Sequence, residues 1–155
     1  FMRSGIRLVN LIIISSLLSG CETAADAFFS AGDRLFQPGE SSAASMPTLS
    51  VADFVAPYTL NPVKANKDYL GEWVKLRGVV IDIRKVNGIS NAYSYLVSLK
   101  DENNKTNNVI QFQFGSHNST NVESLQIGRS ATIIGQVHAL GEAPLPLLQN
   151  PKVVQ

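Results

Sequence analysis

The stretch from Trp73 to Arg84 constrains the fold of this chain more than any other. Val74 and Leu76 alternate with Lys75 and Arg77, the two-residue period of a strand with one buried face. Beyond Gly78 the alternation changes phase: Val79, Ile81 and Ile83 share a side, opposite Asp82 and Arg84. A parity slip at a glycine predicts a bulge or sharp coil. Such a strand can bend and serve two sides of a small closed barrel.

The residues that follow supply partners for it. Asn87-Gly88 centres a turn over 86–92. Tyr93, Tyr95, Val97 and Leu99 alternate with Ser94, Leu96, Ser98 and Lys100, a second strand. A polar loop over 101–108 leads to a third, in which Ile110, Phe112 and Phe114 alternate with Gln111 and Gln113. Residues 118–126 are polar with Val122 and Leu125 three apart, a short helix that Gly128 stops. Ala131 to His138 is a fourth strand, bent at Gly135. After a turn over 141–146 comes a broken fifth, Leu147 to Val154, where Pro151 marks an edge or a terminus.

Two short helices precede this set. Ser50 can cap the first, with Asp53 at its third position and Val51, Phe54 and Val55 at core spacing. Pro57 weakens its continuation. Asn61-Pro62 starts the second, with Ala65 and Tyr69 on one face, and Gly71 ends it. The order strand, strand, strand, helix, strand, strand is that of the OB-fold, a five-stranded Greek-key barrel. The expected class is therefore mainly β, and a β-sandwich fragment is the competing architecture.

The amino terminus is of another kind. Met2 reads as the start, Arg3 and Arg7 are positive, and Leu8 to Leu18 is an apolar run of eleven residues interrupted only by Asn10, Ser15 and Ser16. A membrane-spanning helix needs about 20 apolar residues, so the run fits the core of a secretory signal instead. Leu18, Ser19 and Gly20 stand directly before Cys21, the only cysteine in the chain. This pattern resembles the lipobox of bacterial lipoproteins. The resemblance implies recognition of Leu18, Ser19 and Gly20 by a signal peptidase. It also implies a diacylglycerol thioether and an N-acyl chain (palmitate or similar) on Cys21, hence membrane attachment. In that family an aspartate after the cysteine marks inner-membrane retention. Glu22 here points to the outer membrane, with the protein facing the periplasm. The competing readings are an ordinary signal peptide with an incidental thiol, and a short buried helix.

The expected organisation is a leader over 1–20, a lipidated tether over 21–47 and a folded domain over 48–155. Loss of Arg3 and Arg7 with the leader takes the 13 basic residues to 11 against 12 acidic, a net of −1. No strong field remains to draw in nucleic acid or an acidic surface. In the tether, Pro38, Gly39, Pro47 and the serines and alanines at 41–45 read as flexible spacer. Phe28, Phe29, Leu35 and Phe36 recur near helical spacing. They form either an amphipathic turn resting on membrane or protein, or a hydrophobic cluster in a disordered tether; the shortness of the segment favours the second.

The folded part carries a second resemblance. Asn61-Pro62, Ala65-Asn66, Tyr69, Gly71, Val74, Gly78 and Ile83 are similar to the opening of the bacterial tRNA_anti-like OB-fold family. Phe112, Phe114, Leu125, Gly128, Ile133, Gly135 and the closing Leu148 to Val153 continue the likeness, which covers about residues 50–155. These positions are turn glycines and core apolars, so the likeness speaks for fold more than for function. The chain departs from the family's commonest pattern in lacking a cysteine in the third or fifth strand and in its longer loop at 101–108.

No catalytic set stands out: no nucleophile elbow, no phosphate-cradling loop, no metal-spaced cluster. His117 and His138 fall on different elements, and Asp101-Glu102 reads as a solvated charge pair. A non-enzymatic chain without cofactor or metal is expected. OB barrels bind on the face of strands two and three. The outward residues there are expected to be Trp73, Lys75, Arg77, Ser94, Leu96, Gln111 and Gln113, below a loop over 87–91. Two cations and one aromatic make a thin platform for single strands. A solvated face, or a polar groove for glycan, peptide or protein, suits them as well. Two readings stand: an envelope interaction module with a protein partner, and a barrel face that binds single-stranded nucleic acid or oligosaccharide.

Overall fold

A computed structural model of the protein describes residues 39–88, 92–139 and 143–155. The expected leader, Cys21 and the cluster from Phe28 to Phe36 lie outside the described residues. The elements in order are α1 (Glu40–Ser45), β1 (Thr48–Ser50), α2 (Val51–Leu60), α3 (Pro62–Tyr69), β2 (Trp73–Asn87), β3 (Tyr93–Lys100), β4 (Val109–Gly115), α4 (Ser119–Glu123), β5 (Ser130–His138) and β6 (Leu147–Val154). A single 3-10 turn, Ser116–Asn118, leads into α4.

The strands run in the order β1-β2-β3-β4-β6-β5, and a further pairing of β2 with β5 closes the ring. β2 through β6 make the expected five-stranded barrel, and β1 adds a sixth, parallel strand on its outside. β2 is long enough to change partners along its length. Trp73–Val79 pairs with β5, and Val79–Asn87 pairs with β3. The register shifts between Val80 and Asp82, so the change of phase falls near Ile81 and not at Gly78. Val74, Leu76, Gly78 and Val80 all face inward, while Ile81 is exposed. Gly78 serves a different end. A Cβ there would stand 2.5 Å from the Lys100 carbonyl oxygen and 3.0 Å from Val51, so it lets α2 and the end of β3 close on the barrel.

The core forms where the inward phases meet. Phe112, Phe114, Leu76, Leu99, Ile110, Ile133 and Leu148 fill the barrel, and α2 plugs one end with Val51, Phe54, Val55 and Tyr58. Each such side chain contributes about 1.5–3 kcal/mol by leaving water. The caps fall as expected: Ser50 Oγ accepts from the Asp53 amide and Asn61 Oδ1 from the Lys64 amide. Pro57 sits inside α2, which continues through it to Leu60. Phe54, Tyr58 and Tyr69 pack as an aromatic cluster, and burial pushes the Tyr58 phenol up to about 12, with Tyr69 adding to the shift. β6 runs unbroken through Pro151. Asn150 adopts φ +50 and the β5–β6 register shifts beside it, so the missing proline N–H falls at an irregularity in the ladder.

Two sequence expectations change here. Residues 40–45, expected as flexible spacer, form α1, and it is seated on the barrel. The Lys75 ammonium donates to the Ala43 carbonyl at 3.1 Å. Ile134 points out of β5 yet is only 1% exposed, lining a groove with the buried Ala43. Asp101 is not solvated: it is 1% exposed. Its carboxylate accepts from the amides of Ala52, Asn103 and Lys105, tying the 101–108 loop to the start of α2. The Lys105 amide, with those of Ala52 and Asn103, holds the carboxyl below the usual range against the opposing effect of burial.

Candidate binding face

The bend in β2 divides the expected ligand residues between two walls. Trp73, Lys75 and Arg77 belong to its first half, beside β5 and β1. Lys75 is level with Thr48 and Ile134, and Arg77 with Ser50 and Thr132. Both cations are engaged there. Lys75 holds the end of α1, and Arg77 Nε lies 3.2 Å from the Glu102 carboxylate while its Nη1 donates to Thr132 Oγ1 at 3.4 Å. Trp73 is half-buried, level with Gln136.

Ser94, Leu96, Gln111 and Gln113 are brought together on the other wall. Leu96 lies between Arg84 on β2 and Gln113 on β4, and Ser98 between Asp82 and Gln111. β4 pairs with β6 over only two positions, Gln111 with Leu147 and Phe112 with Leu148. Past them side chains bridge the seam. Gln113 Nε2 donates to Ser94 Oγ at 3.2 Å, and Gln149 Nε2 donates to Gln113 Oε1 at 3.3 Å. On the far side of β6, Asn150 Nδ2 donates to Gln136 Oε1, and Gln136 Nε2 to the Gly71 carbonyl. A row of neutral amides thus runs across β4, β6 and β5, with the Ser94 hydroxyl at its β3 end.

The seam opens into a cavity of about 220 Å³ lined by Ser94, Gln113, Gly115, His117, Asn118 and Gln149, with Asn150 and Pro151 at one side. The turn after β4 builds its wall. A Cβ at Gly115 would stand 2.6 Å from the His117 imidazole, so the glycine is what lets the ring close on the strand end. Asn118 Nδ2 donates to the Pro151 carbonyl at 2.9 Å, and Asn121 bonds both Asn118 and the Val153 amide. Among the described residues, no Lys, Arg, Asp or Glu side chain lines the cavity. Its chemistry is that of paired donors and acceptors, suited to sugar hydroxyls, peptide groups or base edges. At the hairpin end, Arg84 is exposed with Asp82 at 3.7 Å, and the Lys85 ammonium sits 4.1 Å from the Tyr93 ring centroid. Among the described residues no three His, Cys, Asp or Glu side chains converge as a metal site.

Sequence reasoning had not placed Arg84, His117, Asn118 and Gln149 on this face. The only local signal for Gln149 was the polar pair Gln149-Asn150 interrupting an apolar strand.

The tRNA_anti-like family model matches residues 2–153. The chain belongs to the tRNA_anti-like family. The crystal structure of a proposed nucleic acid-binding lipoprotein from Klebsiella pneumoniae subsp. pneumoniae MGH 78578 is 55% identical, with a TM-score of 0.75. The match covers 77% of this chain and 100% of that one. RecG bound to a three-way DNA junction aligns with a TM-score of 0.47 at 14% identity, over 70% of this chain and 12% of that one. A search of curated protein sequences finds no match. Membership of the tRNA_anti-like family agrees with the barrel.

Proposed function

We propose that this chain is a lipid-anchored, non-catalytic binding module of the cell envelope that takes its ligand on the β3–β4–β6 face by hydrogen bonding. A leader over 1–20 is removed, Cys21 carries the diacylglycerol and N-acyl chains, and a tether that ends where α1 docks presents the barrel over 48–155. The lipobox order of residues supports the anchor, and so does the description of the Klebsiella relative as a lipoprotein. Glu22 supports the outer membrane, facing the periplasm. The observation that carries the binding reading is the bridge Ser94–Gln113–Gln149 beside a polar 220 Å³ cavity on the wall where OB barrels take ligands. The ligand is a polar chain, a glycan or an extended segment of an envelope protein partner, held by donors and acceptors and not by charge.

Single-stranded nucleic acid is the second reading. It is favoured by what the Klebsiella relative is said to bind, by Arg84 on the same wall, and by the Lys85–Tyr93 pair on the other side of the same hairpin.

Fluorescence anisotropy with a labelled single-stranded DNA and a labelled neutral oligosaccharide, each titrated with salt, tests both. Hydrogen-bonded recognition gives affinity nearly flat with salt, whereas a phosphate grip falls steeply. Gln113→Ala with Gln149→Ala should weaken whichever ligand binds. A ligand that binds this pair of substitutions as well as the unaltered chain places the site elsewhere.

A further inference from the structure

The corner between α2 and α3 exposes more large apolar surface than any other described segment. Leu60 is 86% exposed, Val63 78%, and Leu70, just past α3, 54%. These are not the core positions of the two helices. Ala65 is buried and Tyr69 packs against Phe54 and Tyr58. Val63, Lys67 and Leu70 are spaced by four and three, so they form one stripe on the side of α3 away from the core. Pro62 and Leu60 extend the stripe around the corner. α3 carries two lysines and one aspartate, and Lys64 lies against Asp68 one turn on.

The composition selects the occupant. Lysine is depleted from the buried centre of protein interfaces, yet Lys67 stands between Val63 and Leu70. A lysine in that position lays its apolar stem along the stripe and reaches past it to a phosphate, as at a lipid headgroup layer. The bilayer is also close by: Cys21 precedes Gly39 by only eighteen residues. The tether enters the fold at α1, on the wall that holds Lys75 and Trp73, and Trp73 follows Leu70 by three residues.

We propose that the corner Leu60–Pro62–Val63, with Lys67 and Leu70, is a second membrane contact that seats the domain on an anionic lipid leaflet. This rests on the lipid-anchor reading. The acyl chains hold the protein at the membrane, and the corner sets which way the barrel faces.

The test uses the full acylated chain in vesicles of phosphatidylethanolamine and phosphatidylglycerol. With Cys21 acylated, Val63→Cys provides one free thiol for an environment-sensitive fluorophore, and Glu123→Cys on α4 provides an exposed comparison. The expected result is a blue-shifted Val63 label quenched by brominated lipid, a smaller shift in phosphatidylcholine vesicles, and water-like emission from the Glu123 label. Water-like emission from Val63 while the protein stays on the vesicles overturns the proposal and leaves the anchor standing. Labelling of the unaltered chain at Cys21 would show an unacylated thiol. The anchor reading would then fail, and the proposal with it.

Discussion

The two walls of this barrel are made of similar strands and have opposite fates. On the β1–β2–β5 wall, Lys75 is bonded to α1, Arg77 to Glu102 and Thr132, and Ile134 is covered. On the β3–β4–β6 wall, Ser94, Gln111, Gln113 and Gln149 stay partly accessible around an open seam. The long cations tie secondary elements to the barrel, and the shorter amides stay accessible around the seam. A charge on an OB barrel is therefore evidence for a binding face only once its partner within the fold is known.

The largest effect is expected at the end where both walls meet the helices. Asp101→Ala strands three amides and should lower stability by about 3 kcal/mol in urea unfolding. The Asp101 carboxyl is held below its unfolded range, so its contribution is complete above that range and is lost as pH falls through the folded value. Asp101→Asn should therefore flatten the acid limb of the stability profile; an unchanged limb would mean that other carboxylates dominate it. On the covered wall, Ile134→Ala should cost about 2 kcal/mol and speed amide exchange in 40–45, because it removes the surface on which α1 rests. A silent substitution would mean that α1 does not hold the wall closed.

On the open wall, Gln113→Ala with Gln149→Ala should leave unfolding within about 1 kcal/mol of the unaltered chain while weakening ligand about tenfold. The smallest effect is expected from Lys75→Ala with Arg77→Ala: about 1 kcal/mol of stability, since Arg77–Glu102 is an exposed ion pair and Lys75 gives up one hydrogen bond to a carbonyl, and no change in ligand affinity. Loss of binding in that variant would reverse the assignment of the two walls. If single-stranded DNA binds, Arg84 and Lys85 alone would limit the slope of log affinity against log salt to about −1.4, and a much steeper slope would require cations from elsewhere.

Local chemistry was legible in the residues. Alternation located the five barrel strands, Ser50 and Asn61 announced their caps, and the spacing of Ala65 and Tyr69 identified the buried side of α3. Neighbours across the sheet were not legible. Period two states which side a residue faces but not which strand lies beside it, and β2 changes partners midway. Lys75 and Arg77 share a strand with Arg84 yet lie on another wall. The phase change was expected at Gly78 because a glycine is a local signal for a bulge; the real cause of that glycine is the Lys100 carbonyl, twenty-two residues on. The seam at Gln113 and Gln149, the burial of Asp101 and the docking of α1 on Ile134 arise the same way. Each joins residues far apart in the chain (for Asp101, the Ala52 amide beside the two local ones), and that long-range pairing was decided by barrel closure.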